Sequence, residues 1–370
     1  MGESLRIAEA IRLAVARQEL SYELAEAVMD EIMDGRATQI QMAAYLTAMS
    51  LKGETITEIT ASAAGMRKHC VRLLNEMPVL EIVGTGGDES YSFNISTTSA
   101  LVASAAGVRV AKHGNRAATS RSGAADVLEA LGVKIDITPE LSLRSLEEIG
   151  LCFLFAQNYH LAMKFVAPVR RELGIRTIFN ILGPLVNPAG AEMELLGVYD
   201  DDLVEPLAKV LVNLGVRRAL VVHGQDGFDE ISISAPTTAC EIRDGYFKLY
   251  TIDPRQHGFQ LCRKEDMLGG SPEDNAAITR AILGGEPGPK TDAVLLNSAA
   301  AISLARDDLN LDQAVAVARQ TIASGAALAQ LESFIALTNG HRSRSDNGAV
   351  TLLPPTPLDA VGPSQPNPPA

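Results

Sequence analysis

Apolar positions along the first seventy-five residues recur at helical spacing. Ile7, Ile11 and Val15 share a face, as do Leu24, Val28 and Ile32. Gly35 and Gly53 punctuate these segments. Thr55 with Glu58 has the capping-box spacing, in which each side chain satisfies an amide at the helix start. The pattern predicts a small helical domain over 1–75, with its charges on a solvated face. From Val79 the period changes. Short apolar runs (VLEIVG, VRVAKHG, RALVVHG) alternate with helical stretches at 99–106, 124–131 and 203–214. Strand, loop and helix in repetition predict an α/β domain over 76–349 with a mainly parallel sheet. Ligands of such sheets sit beyond the carboxyl ends of strands, where loops enter helix N-termini. The run FVAPVRRELG reads as a helix between α/β elements, and the segment near 165–186 is expected to join the small domain. The stretch 350–370 is crowded with proline and predicts a disordered tail.

Composition narrows the class. With 46% hydrophobic and 21% charged residues in 370, the chain is globular, one larger domain with a smaller one. Thirty-two basic against forty-five acidic side chains give a net charge of −13, which argues against a surface that coats nucleic acid or an anionic membrane. A local site can still oppose that field for a small anion. Cys70, Cys152, Cys240 and Cys262 are scattered without a CxxC pair, so neither a disulfide framework nor a clustered zinc site is expected. They read as thiols in a reducing compartment. The N-terminus has neither a basic start nor a long apolar run, and Arg6 stands where a myristoylation motif wants Ser or Thr. A soluble, cytoplasmic protein is the expectation.

Four constellations carry chemistry. Gly84-Thr85-Gly86-Gly87-Asp88 follows a strand-like run. It lacks the Lys-Ser/Thr of a Walker A loop, and Glu89 stands where a Rossmann fingerprint needs glycine. A plain tight turn and a phosphate loop both fit. Asn94-Ile95-Ser96-Thr97 opens a helix, where such residues cap free amides or hand them to an oxyanion. Lys112-His113-Gly114-Asn115-Arg116 ends a strand, and Lys112 with Arg116 offers cations to pyrophosphate. Asp226-Gly227-Phe228-Asp229-Glu230 follows another, on a loop. It is either a solvated acidic turn or a magnesium site whose remaining ligands are water and phosphate.

GTGGD, FNIST, KHGNR, SGAADVLEALG, APVRRELGIRTIFNILGPLVNPA and DGFDE, in this order over roughly 5–340, resemble the anthranilate phosphoribosyltransferase family of tryptophan biosynthesis. The resemblance implies a two-domain fold of the kind shared with nucleoside phosphorylases. It implies that Gly84, Gly87, Asp88 and Ser92 meet 5-phosphoribosyl 1-diphosphate, and that Asn94, Ile95, Ser96 and Thr97 hold its phosphates. Lys112, His113, Gly114, Asn115 and Arg116 close over it, continued by Ala117, Ala118, Thr119, Ser120 and Ala124. Gly84, Asn115 and Arg170 address anthranilate, with Arg170 as the carboxylate partner. Lys112, Asn115 and Arg170 are the implied catalytic set. Two magnesium ions are implied, one touched by Ser96 and a second held by Asp229 and Glu230. Two departures stand out. Leu161 replaces the proline that usually follows His160, which puts His160 and Met163 in doubt as parts of the aromatic-acid entry. Phe228 replaces a leucine, a packing swap.

The implied reaction displaces pyrophosphate from the ribose C1 by the anthranilate amine. Positioning and leaving-group neutralisation dominate such chemistry. No general base is assigned, and His113 is the candidate if one acts. The resemblance further implies a homodimer and opening and closing of the two domains. Two other readings compete. An inactive, nucleic-acid-binding relative needs a basic stripe, against which the scattered Arg67, Lys68 and Arg72 argue. A nucleoside phosphorylase carries different glycine and lysine motifs.

Overall fold

The computed structural model describes residues 6–117 and 121–340. Ala118, Thr119, Ser120 and the proline-rich stretch lie outside the described residues.

Four helices open the chain, Arg6–Val15, Tyr22–Met33, Gln39–Lys52 and Ile56–Lys68. Ser21, Thr38 and Thr55 cap the last three by accepting from backbone amides of the first turn. The Glu58 carboxylate completes its capping box at Thr55 and also accepts from Leu20 N–H at 2.8 Å and Lys52 Nζ at 2.7 Å. Leu24, Val28 and Ile32 are buried together, as expected. Ile7 is buried, Ile11 half-buried, and Val15 is 71% exposed. Positions four apart drift by about 40° around a helix, so after two such steps Val15 has turned some 80° off the buried face.

One seven-stranded sheet forms the second unit. Its strands are β1 (Leu80–Gly84), β2 (Val110–Gly114), β3 (Leu151–Phe155), β4 (Met193–Gly197), β5 (Arg218–Gly224), β6 (Thr237–Arg243) and β7 (Tyr246–Ile252), in the order β3-β2-β1-β4-β5-β6-β7. The first five run parallel. β6 and β7 extend the sheet as an antiparallel hairpin that the sequence reading did not include. Its turn, Asp244-Gly245, has both residues at positive φ (46° and 85°), the conformation that asparagine, aspartate and glycine adopt most readily.

The sheet separates two cores. One face, with Leu80, Ile82, Val110, Leu195 and Leu220, packs under the helices Ile95–Ala105, Pro272–Leu283, Pro289–Ala305, Leu311–Ala323 and Ala326–Thr338. The other, with Leu196, Val198, Ala219 and Val221, joins the helical bundle and the helix Val204–Asn213. Helix Met163–Leu173 carries Pro168 in its interior, yet sends Val166 and Val169 into the bundle's core. Phe179, Leu182, Leu185 and Val186 enter the same core. Among the described residues no single helix is long and apolar enough to cross a membrane.

The chain steps from β1 through β2 to β3 on one side and returns with β4 on the other. This reversal leaves a crevice at the carboxyl ends of β1 and β4, where open α/β sheets bind ligands.

Candidate active site

The loop after β5 passes directly over the ends of β1 and β4. Gly84 and Gly197 are paired neighbours on those strands. A Cβ on Gly197 would lie 1.6 Å from the Asp229 carbonyl oxygen, and one on Gly84 2.3 Å from the Asp229 carboxylate. Only glycine admits this crossing. Asp229 Oδ2 accepts from Gly86 N–H at 2.7 Å, and Glu230 Oε1 accepts from Ser96 N–H at 3.0 Å. Asp88 accepts from Asp229 N–H at 3.4 Å. The glycine loop, the helix start and the acidic loop thus meet at one place. Burial first, then Asp88 beside Asp229 and Asp229 beside Glu230, holds both carboxyls above their usual range. Lys112 is the cation that faces them.

Lys112 reaches this place because β1 and β2 part company. Their registered pairing stops at Leu80↔Val110, whereas β1 and β4 pair over five positions. Side chains replace the missing rungs. Lys112 Nζ donates to Ile82 O at 2.7 Å and to Ser96 Oγ at 3.2 Å. Glu81 accepts from His113 N–H at 2.9 Å, while Asn187 Nδ2 donates to Glu81 at 2.6 Å and to Ala111 O at 2.8 Å. Burial pushes the Lys112 ammonium down and the Glu81 carboxyl up, each partly offset by the other.

Lys112 and His113 are residues of β2, which runs on to Gly114, and strand alternation sends them to opposite faces. His113 points toward the bundle side, 5.0 Å from the His160 ring. Each ring bonds a backbone group of the connector, Gly183 for His113 and Val186 for His160. Desolvation drives His113 down to about 3 and His160 to about 4, so both are neutral. Gly114 ends β2, and Asn115 is exposed beyond it. Arg116 is committed to Asp126 and Glu129 and lies over the Phe155 ring, so in this structure its charge is spent on the next helix. Asp126 also receives the Ala117 and Gly123 amides, both at 2.9 Å, pinning the two ends of the intervening loop. Ala124 opens that helix, half-buried.

At the helix Ile95–Ala105, Asn94 makes no side-chain cap. Its amide donates to Ser122 O at 3.1 Å and accepts from Asn275 Nδ2 at 2.9 Å, tying this helix start to Ser122 and to helix Pro272–Leu283. The Ile95 side chain lies in the core, so only its backbone faces the crevice. Thr97 Oγ is buried and meets no hydrogen-bond partner among the described residues. Ser92 is half-buried and bridges to Leu268. Gly87 takes φ +75° in the turn, and Glu89 and Tyr91 carry positive φ without being glycine, a local strain.

Arg170 lies on helix Met163–Leu173, largely buried, 5.5 Å over the Phe179 ring. Among the described residues it enters no ion pair, and desolvation alone lowers its guanidinium. A cation so placed invites an external carboxylate. Leu161 is 58% exposed in a turn closed by Met163 N–H to His160 O at 3.0 Å, so the missing proline disturbs no packing. Phe228 is buried with Lys264 over its ring at 5.0 Å. Arg176 was missed by the sequence reading: it donates to Gly87 O and stacks 4.2 Å over Tyr199. Glu81 and Asn187 were missed too. A glutamate inside an otherwise apolar strand was the available signal.

Residues 8–70 match the helical bundle domain of a glycosyl transferase family, and 76–328 match its a/b domain. The fold and the crevice are therefore those of this glycosyl transferase class. More narrowly, the chain belongs to the anthranilate phosphoribosyltransferase family. It is 64% identical over 333 residues to the anthranilate phosphoribosyltransferase of Lachnoclostridium phytofermentans, covering 90% of this chain and 99% of the relative. The crystal structure of the Thermus thermophilus enzyme superposes with a TM-score of 0.85 at 45% identity, covering 89% and 99%. The Saccharomyces cerevisiae enzyme in complex with PRPP and Mg matches at 0.84 and 27% identity, covering 91% and 99%.

Proposed function

We infer that the chain transfers the phosphoribosyl group of 5-phosphoribosyl 1-diphosphate to the amine of anthranilate, releasing pyrophosphate, and that the crevice at β1 and β4 is where it does so. The observation that carries this reading is the meeting of Gly86, Ser96, Asp229 and Glu230: two backbone amides at a helix N-terminus, each held by one of two adjacent carboxylates that a ligand can displace. Amides there suit phosphate oxygens. Asp229, Glu230 and the Ser96 hydroxyl are hard oxygen donors of the kind magnesium takes, and the crowded acids favour a cation between them. Among the described residues no three acidic, histidine or cysteine side chains form a closed cage. That fits an ion completed by water and the substrate's own phosphates. Asp229 with Glu230, and the Ser96 hydroxyl, would hold two magnesium ions in this reading, which would supply neutralisation of charge on the departing diphosphate.

The chain's own residues do the rest. The C1–O bond to diphosphate breaks and the C1–N bond forms, through an oxocarbenium-like state. Lys112, fixed by Ile82 O and Ser96 Oγ, stabilises the leaving group. Gly84 leaves room for the Asp229 carboxylate at the floor of the crevice where anthranilate and the donor meet. Arg170 clamps the anthranilate carboxylate, and Asn115 holds the aromatic acid at the mouth. The amine's proton passes to the ortho carboxylate or to water. His113 is a poor base for it, being depressed to about 3 and turned to the other face of the sheet.

A homodimer through the bundle is supported by Val15, Ile40 and Leu51, all more than 70% exposed. A cytoplasmic setting suits the four unpaired cysteines. The test of the reaction is anthranilate fluorescence followed with and without the phosphoribosyl donor and magnesium. Loss of signal only when all components are present supports the reading, and phosphate-dependent release of a free base contradicts it.

A further inference from the structure

We infer that Asn297 is a positioning residue that sets the two acidic side chains of the β5 loop against the helix that receives phosphate. This rests on the reading of Asp229 and Glu230 as magnesium ligands. Asn297 lies in the middle of helix Pro289–Ala305, with 0% exposure, among alanine, leucine and valine. A buried amide in such surroundings is costly unless every polar atom is used. Here every one is. Oδ1 accepts from Ile231 N–H at 3.0 Å, and Nδ2 donates to Ile231 O at 2.8 Å and to Ala293 O at 3.0 Å. Pairing one amide with both backbone groups of a single residue fixes the position and the tilt of that residue together.

Ile231 directly follows Glu230, and its own side chain is fully buried. On the other side, the Asp229 backbone is wedged against Gly84 and Gly197. The acidic pair is therefore held between a steric stop before it and the Asn297 clamp after it. The clamp's helix also packs on Ile95–Ala105, with Ser298 Oγ 3.5 Å from Ser99 O. Asn297 thus ties the acidic loop to the same body that carries Ser96, and so keeps the Glu230 carboxylate at its 3.0 Å separation from Ser96 N–H.

Two variants of the full chain test this, Asn297→Ala and Asn297→Asp. The second keeps the volume and the acceptor for Ile231 N–H but removes the donors, and it carries the test if the first does not fold. Circular dichroism establishes folding. Calorimetry then follows 5-phosphoribosyl 1-diphosphate binding, without anthranilate, in magnesium and in chelator. The expected result is a tenfold or larger weakening of the magnesium-dependent binding, with chelator binding and the KM for anthranilate within twofold of the parent. Folded variants that keep parental magnesium dependence, or that lose all three quantities equally, overturn the clamp. The combined Asp229→Asn and Glu230→Gln variant separates the two failures. If it loses magnesium dependence while the Asn297 variants keep it, the clamp alone falls. If it keeps magnesium dependence, the ligand reading falls and takes the clamp with it.

Discussion

The two flanks of β1 are built in opposite ways. Toward β4 the strands pair over five positions, from Leu80↔Met193 to Gly84↔Gly197, and backbone holds backbone. Toward β2 the registered pairing stops after Leu80↔Val110, and Glu81, Lys112 and Asn187 supply the bonds instead. A complete ladder gives rigidity and sets Gly84 beside Gly197 under the acidic loop. An interrupted one costs regular pairing but brings a buried cation to the mouth of the crevice. The first flank positions backbone under the acidic loop, and the second positions a charge.

Substitutions on the two flanks separate these roles. The largest effect is expected for Lys112→Met, which removes the cation beside Ser96 that we propose stabilises the leaving diphosphate. Turnover should fall on the order of 10²–10³-fold, the scale for losing one preorganised electrostatic group, as read by initial rates. On the other flank, Leu196→Ala empties a fully buried position. It should cost about 2–5 kcal/mol in denaturant unfolding while leaving both KM values unchanged. Next comes Arg170→Ala, which should raise the KM for anthranilate by roughly the 1.5–3 kcal/mol of one charge-assisted bond and spare that of the phosphoribosyl donor. Equal effects on both substrates would count against the clamp. Asn187→Leu strands the Ala111 carbonyl and leaves Glu81 with the His113 N–H as its remaining donor, so stability should drop by about 1–3 kcal/mol. Unlike Leu196→Ala, it should also weaken binding of the phosphoribosyl donor.

The smallest effect concerns pH. His113 and His160 stay neutral in the fold down to about 3 and 4, whereas unfolded histidine takes a proton near 6.5. Below that value the unfolded chain binds more protons, so stability is lost as pH falls. Each histidine contributes a slope of about 1.4 kcal/mol per pH unit between roughly 6 and 4.5. His160→Phe should flatten the acid limb by one such contribution. An unchanged slope in urea titrations across that window would refute the buried neutral pair.

The same contrast explains what the sequence disclosed. Gly84, Gly86, Asp88, Asp229 and Glu230 were legible because their types in short runs are restrictive, and each run sits at the end of an apolar segment. The bundle was legible from its period, except for the drift at Val15. Partnership across the chain was not. Glu81 and Asn187 meet over 106 residues and Arg176 and Gly87 over 89, and nothing local marks either pair. The β6–β7 hairpin had its Asp244-Gly245 turn in view, but Tyr246, Phe247 and Leu249 stay exposed, so alternation there was weak. Arg116 shows the converse case. A cation beside the right motif was read toward phosphate, while Asp126 and Glu129, a helix away, claim it in this structure.

The most direct measurement is a crystal structure of the chain with 5-phosphoribosyl 1-diphosphate and magnesium. The account predicts diphosphate oxygens at the N-terminus of helix Ile95–Ala105, with Ser96 N–H released by Glu230 and Lys112 turned to the same group. Density for the compound anywhere but between Gly86, Ser96 and the Asp229–Glu230 pair would contradict it.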